Sequence, residues 1–204
     1  MHPLTTVRGA IISAFVLAIV LSVILTTTMI GADGLGLHHT RIDRWLHIVS
    51  GVMWIGLLYY FNVVQLPALA DATADKGGPG GAGIAKYVAP RALWWFRWAA
   101  VLTWVTGAYF LLFGYGSPVA LHKAFTLQEG FVTIGVGAWL GTFMLLNVWG
   151  VIWPNQKKIL GLKPATDEEK TRARKIALYA SRLNFILSVP MLMCMGGQSH
   201  GLPF

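Results

Sequence analysis

His47 lies inside an apolar stretch, four residues after Asp43 and one turn before Gly51. On a helix these three share a face, so the Asp43 carboxylate can take one ring N–H and leave the other imidazole nitrogen free for a metal. Gly51 leaves room for a flat group such as a porphyrin against the backbone, and the face continues through Trp54 and Leu58. An ionisable group at this depth is costly without a partner. The expectation is a b-type haem or a metal ion on His47, with His200 as second ligand from a neighbouring helix and His122 as the competing donor. Arg41 and Arg44 would pair with haem propionates, and Asp43 and Trp54 would form the outer layer of the site. The single cysteine, Cys194, excludes an internal disulfide and a covalently attached c-type haem, which needs two thiols.

Plainer readings stand beside these. A histidine at a membrane edge can be a hydrogen-bonded packing residue, and His200 can be part of a loose tail. His38 and His39 read as solvated loop residues, and Arg97 and Arg182 as snorkelling cations. Glu129 either caps a helix or faces a cavity. Met191, Met193 and Met195 are spaced by two, which on a helix spreads them over different faces and argues for packing rather than copper binding.

These residues need elements to hold them. Of the 204 residues 55% are apolar and only 12% charged, a composition that a bilayer accommodates and a soluble domain of this size does not. Five apolar stretches are each long enough to span hydrocarbon: Gly9 to Ile30, Trp45 to Leu66, Ala92 to Phe113, Leu127 to Ile152 and Ile176 to Met195. The first is too long for the apolar core of a signal peptide. The segment from Asp71 to Lys86, with its Gly-rich run from Gly77 to Gly83, reads as a flexible loop, and Pro154 as the end of the fourth helix. The expected fold is an all-α integral membrane protein, a single domain forming a bundle of five transmembrane helices.

Cations set the expected orientation. Lys76, Lys86 and Arg91 follow the second stretch, and seven lysines and arginines from Lys157 to Lys175 follow the fourth. Only Arg41, Arg44 and Lys123 lie on the other side. The N-terminus, with His2, is therefore expected in the cytoplasm and the C-terminus in the periplasm of a bacterial inner membrane. Most of the net charge of +8 is explained by this topology and calls for no nucleic-acid partner. Trp94, Trp95, Trp98, Trp149 and Trp153 fall at the cytoplasmic ends, as an aromatic belt. Gly137 and Gly141 form a small-residue stripe for close helix packing within the bundle, with a homodimer contact as the competing use. Phosphate loops, dinucleotide fingerprints and paired-cysteine metal motifs are missing from the sequence, and with eight acidic residues, nearly all in connections, a transporter is not favoured.

Several segments together resemble one family. The stretches from Arg44 to Gly56, from Gly141 to Lys157 and from Asn184 to His200, with Trp94 to Trp98, look like the membrane domain of the PuuD-type urate hydroxylases. The chain reads as a short form lacking that family's cytochrome c domain. Where the family pattern opens its last helix with His-Asn-Asn, this chain has Ser181-Arg-Leu-Asn184. The resemblance implies oxidation of urate to 5-hydroxyisourate, with electrons passed to a periplasmic cytochrome c, and it places His47 and His200 on family histidines. The expected function is thus a membrane-embedded redox protein. The alternative is an accessory subunit packed into a larger membrane complex, its histidines structural.

Overall fold

The computed structural model describes residues 5–31 and 35–203, so His2 and Phe204 lie outside them. Among the described residues every regular element is helical. Five helices are long and apolar enough to cross a membrane: α1 (Val7–Ile30), α2 (His39–Ala74), α3 (Ile84–Phe113), α5 (Val132–Ile159) and α6 (Asp167–His200). A short helix, α4 (Val119–Phe125), precedes α5. By its contacts the chain divides into two compact units, Met1–His39 and Thr40–Phe204.

The first unit holds α1. Thr6 caps its start, its hydroxyl accepting from the Gly9 N–H at 3.0 Å, and Gly31 ends it at φ +90°. No residue of α1 is buried, and it is apolar on every side, as expected of a helix whose solvent is lipid. The hydroxyls of Thr27 and Thr28 turn back onto carbonyls of the preceding turn, so they leave no unpaired donor on the helix surface.

In the second unit the helices run past the limits expected from the apolar runs. Helix α2 continues through Pro67 to Ala74, α3 begins at Ile84 ahead of Pro90, and α5 passes through Pro154 to Ile159. The irregular connection between α2 and α3 is therefore shorter than the loop expected over 71–86, because both of its flanks are helical. Each of these three prolines is preceded by a widened π-helical stretch, at Tyr60–Gln65, Ile84–Val88 and Val148–Ile152. A proline lacks the N–H for its own turn, and its ring crowds the carbonyl four residues back. A wider turn relieves both conflicts, so the proline bends the helix instead of ending it. Two expected limits shift the other way or further. Helix α5 starts at Val132 rather than Leu127, since Leu127 (φ +55°) and Gly130 (φ +78°) turn the chain there. Helix α6 starts at Asp167, where Thr166 and Glu169 form a capping box, and runs to His200 rather than ending at Met195.

Helices α5 and α6 pack closely. A Cβ on Gly137 would stand 3.0 Å from Cys194 Cβ and 3.3 Å from the Met195 methyl, and Gly141 is also buried. Gly137 thus serves close contact within the chain, whereas a Cβ on Gly141 would meet nothing within 4 Å. Lower in the same interface Asn147 donates to Asn184 Oδ1 at 2.7 Å and to the Ala180 carbonyl at 2.9 Å, while Asn184 donates back to the Met144 carbonyl at 3.0 Å. Across from them Asn62 of α2 donates to Ser181 Oγ at 2.8 Å. Around these amides Trp54, Leu58, Phe96, Met144 and Val148 form the apolar core.

Candidate functional site

The half of α2 that begins at Arg44, the end of α3, the start of α5 and the end of α6 meet at one end of the second unit. They enclose a cavity of about 690 Å³, within the size range of small-molecule and cofactor sites. Its walls are mostly apolar, and His47, His200, Arg44, Trp54 and Gly141 are all among the lining residues.

His47 is held there by two polar contacts from α3. Its Nδ1 lies 2.8 Å from the Thr103 carbonyl oxygen and 3.3 Å from Thr106 Oγ1. A carbonyl only accepts, so Nδ1 carries the proton and donates it. The lone pair of the neutral ring is then on Nε2, the tautomer suited to ligating a metal. Gly107 completes the seat: a Cβ at that position would come within 2.8 Å of the imidazole Cε1. Three residues on one side of α3, Thr103, Thr106 and Gly107, thus fix the position, rotation and tautomer of a ring on α2.

This differs from the expected arrangement in several respects. Asp43 is buried, at 8% exposure, but it does not line the cavity, and the bond that orients His47 comes from α3 rather than from the residue one turn back. Gly51 faces α3 at the Thr103 methyl, 3.7 Å from where its Cβ would be, and lies outside the cavity. Arg41 is exposed and away from it. His122 sits in the last turn of α4, exposed, and is not brought to the cavity. Glu129 is exposed in the turn before α5 and neither caps that helix nor reaches the site.

His200 is in the last turn of a helix rather than on a loose tail. Gln198 is the reason. Its side-chain oxygen accepts from the Ile134 N–H at 3.0 Å, and its amide nitrogen donates to the Gly130 carbonyl at 3.0 Å. One side chain therefore satisfies backbone groups at the start of α5 and ties the final turn of α6 beside them. Met191 and Met195, four residues apart, both line the cavity from this helix, whereas Met193 is exposed.

At the rim the Arg44 guanidinium lies 4.8 Å over the Phe110 ring. Tyr115 lies beside it; burial pushes its phenol above the usual range, and the Arg44 charge partly offsets that. Among the described residues no three His, Cys, Asp or Glu side chains gather as a metal-binding group. Thr103, Thr106, Gly107 and Gln198 were not anticipated as site residues. The first three do carry a signal, a short polar and small run within an otherwise apolar helix.

No curated protein and no solved structure matches the chain. A family model does: residues 116–204, covering α4, α5 and α6 with His200 among them, are similar to the family described as Urate oxidase N-terminal, which relates the chain to proteins of the urate hydroxylase type.

Proposed function

We propose that this chain is a membrane-embedded redox protein, similar to the urate hydroxylase membrane domain, which holds a b-type haem in the cavity and passes electrons to a periplasmic cytochrome c. The observation that carries the reading is the His47 ring, anchored through Nδ1 to Thr103 on the wall of a large apolar cavity. The residues fit the group. A porphyrin supplies four nitrogens of its own, so one or two histidines suffice, here His47 with His200 as the second ligand. The apolar walls suit the macrocycle, and Arg44 at the rim suits its carboxylates. When bound, the haem supplies one-electron chemistry.

The protein's own part is positional. Thr103 holds the Nδ1 proton, which keeps Nε2 a lone-pair donor, and Gly107 leaves the space that the ring occupies. The apolar lining excludes water. The cavity lies at the end of the unit with few cations, Arg41, Arg44 and Lys123, and so faces the periplasm if the positive-inside tendency holds; the N-terminus is then cytoplasmic, in a bacterial inner membrane.

The test is an absorption spectrum of the detergent-extracted protein, oxidised and dithionite-reduced. A Soret band and a b-type α-band are expected, with His47→Ala losing at least about tenfold of the haem per protein. Urate-dependent reduction of the haem is the assay for the catalytic reading. A second reading, an accessory subunit of a larger membrane complex, is favoured by α1, which buries no residue of its own. That reading expects a colourless preparation that copurifies with a stoichiometric partner.

A further inference from the structure

At the end of the second unit opposite the cavity, Arg97 of α3 is held in an unusual way. Its guanidinium carbon lies 3.3 Å over the ring of Trp153 on α5, and 5.4 Å from the ring of Trp149 one turn earlier. Its Nε donates to the Leu93 carbonyl at 3.1 Å. The plane of the guanidinium is thereby fixed, which a freely snorkelling side chain does not require. Among the described residues the ion pairs are Lys158 with Glu169 and Lys170 with Asp167, so no carboxylate neutralises Arg97. Its two terminal nitrogens remain as a paired fork of donors, the geometry that takes two oxygens of one phosphate.

We infer that Arg97, stacked on Trp153, is a binding site for the phosphate of an anionic phospholipid. Charge supports this occupant: Lys157 brings a second cation to within 5.9 Å of the same Trp153 ring. The surroundings favour a lipid over a soluble phosphate. Trp94, Trp95 and Trp98, next to Arg97 on α3, are each more than 40% exposed. Exposed indoles in a spanning helix settle at the headgroup level, where lipid phosphates lie. Trp98 in turn packs edge-on against Trp149, with ring centroids 5.4 Å apart, so the indoles and the arginine form one continuous surface. The site is independent of any cofactor in the cavity.

Thermal unfolding of the chain purified in a neutral detergent tests it, with added phosphatidylglycerol, phosphatidylcholine or inorganic phosphate. Phosphatidylglycerol is expected to raise the melting temperature in a saturable way, with phosphatidylcholine at least about tenfold weaker and inorganic phosphate without effect. Arg97→Gln is expected to weaken the phosphatidylglycerol response by about tenfold, the loss of one charge-assisted bidentate contact. Lys157→Gln, at a helix end, is expected to weaken it by a smaller factor and keeps the test open if R97Q does not fold. A wild-type response in either variant overturns the proposal. An equal response to phosphatidylcholine, or one reproduced by inorganic phosphate alone, overturns it as well.

Discussion

The imidazole of His47 is governed by a backbone oxygen. The Thr103 carbonyl sets which ring nitrogen carries the proton, and no side chain announces it, so nothing in the sequence marks Thr103 as the partner. Spacing pointed to Asp43 instead, because i, i+4 relations can be read along one helix and contacts between helices cannot. His47, Arg44, Trp54 and His200 could be singled out because polar or bulky groups in or beside an apolar stretch call for a partner, and all four line the cavity. Gly107 tests the seat directly. Gly107→Val puts a branched side chain where the His47 ring lies, and is expected to cut haem content about tenfold or more, as loss of a ligand's orientation does. The measurement is the ratio of Soret to protein absorbance in folded material. Retention of wild-type haem by this variant would remove His47 as the ligand.

The helices themselves were foreseeable from apolar length, and each of the five appears. Their limits were misjudged where proline was taken as a stop. At three prolines the chain keeps its helical bonding by widening the turn before the ring. Pro67, Pro90 and Pro154 are all treated in this way. The pairing of α5 with α6 rests on more than the glycine stripe. Asn184 is fully buried and exchanges hydrogen bonds with Asn147 and with the Met144 carbonyl, fixing the rotation of one helix against the other. Asn184→Leu removes one of the two acceptors of the Asn147 amide and the donor to the Met144 carbonyl, and is expected to cost about 1–2 kcal/mol. Unfolding in a mixed-detergent titration measures this, and a change below a few tenths would show the pair to be dispensable. Thr166→Ala removes the hydroxyl half of the capping box and should cost about 1 kcal/mol in the same assay, with no change in spectrum.

For the molecule as a whole, the second unit is polarised. One end gathers the cavity, and the other gathers most of the lysines, arginines and tryptophans. The proposed orientation follows from that asymmetry, and the turn around Gly80 reports on it. Cys194 is buried, so a cysteine introduced at Gly80 would be the reactive thiol for an impermeant reagent. Labelling is expected only after the cells are opened. Labelling of intact cells, with an outer membrane made permeable, would invert the scheme and turn the cavity toward the cytoplasm.

The clamp made by Gln198 gives the end of α6 a further property. Because that last turn is tied to the first turn of α5, the direction in which the chain leaves His200 is set beside the cavity rather than left to diffusion. The rim of the cavity is therefore a surface of fixed shape on this side, built jointly by the end of α6 and the start of α5. Cutting the amide contacts of Gln198 would loosen that surface, and with it the position of His200, without touching the seat of His47 on α3.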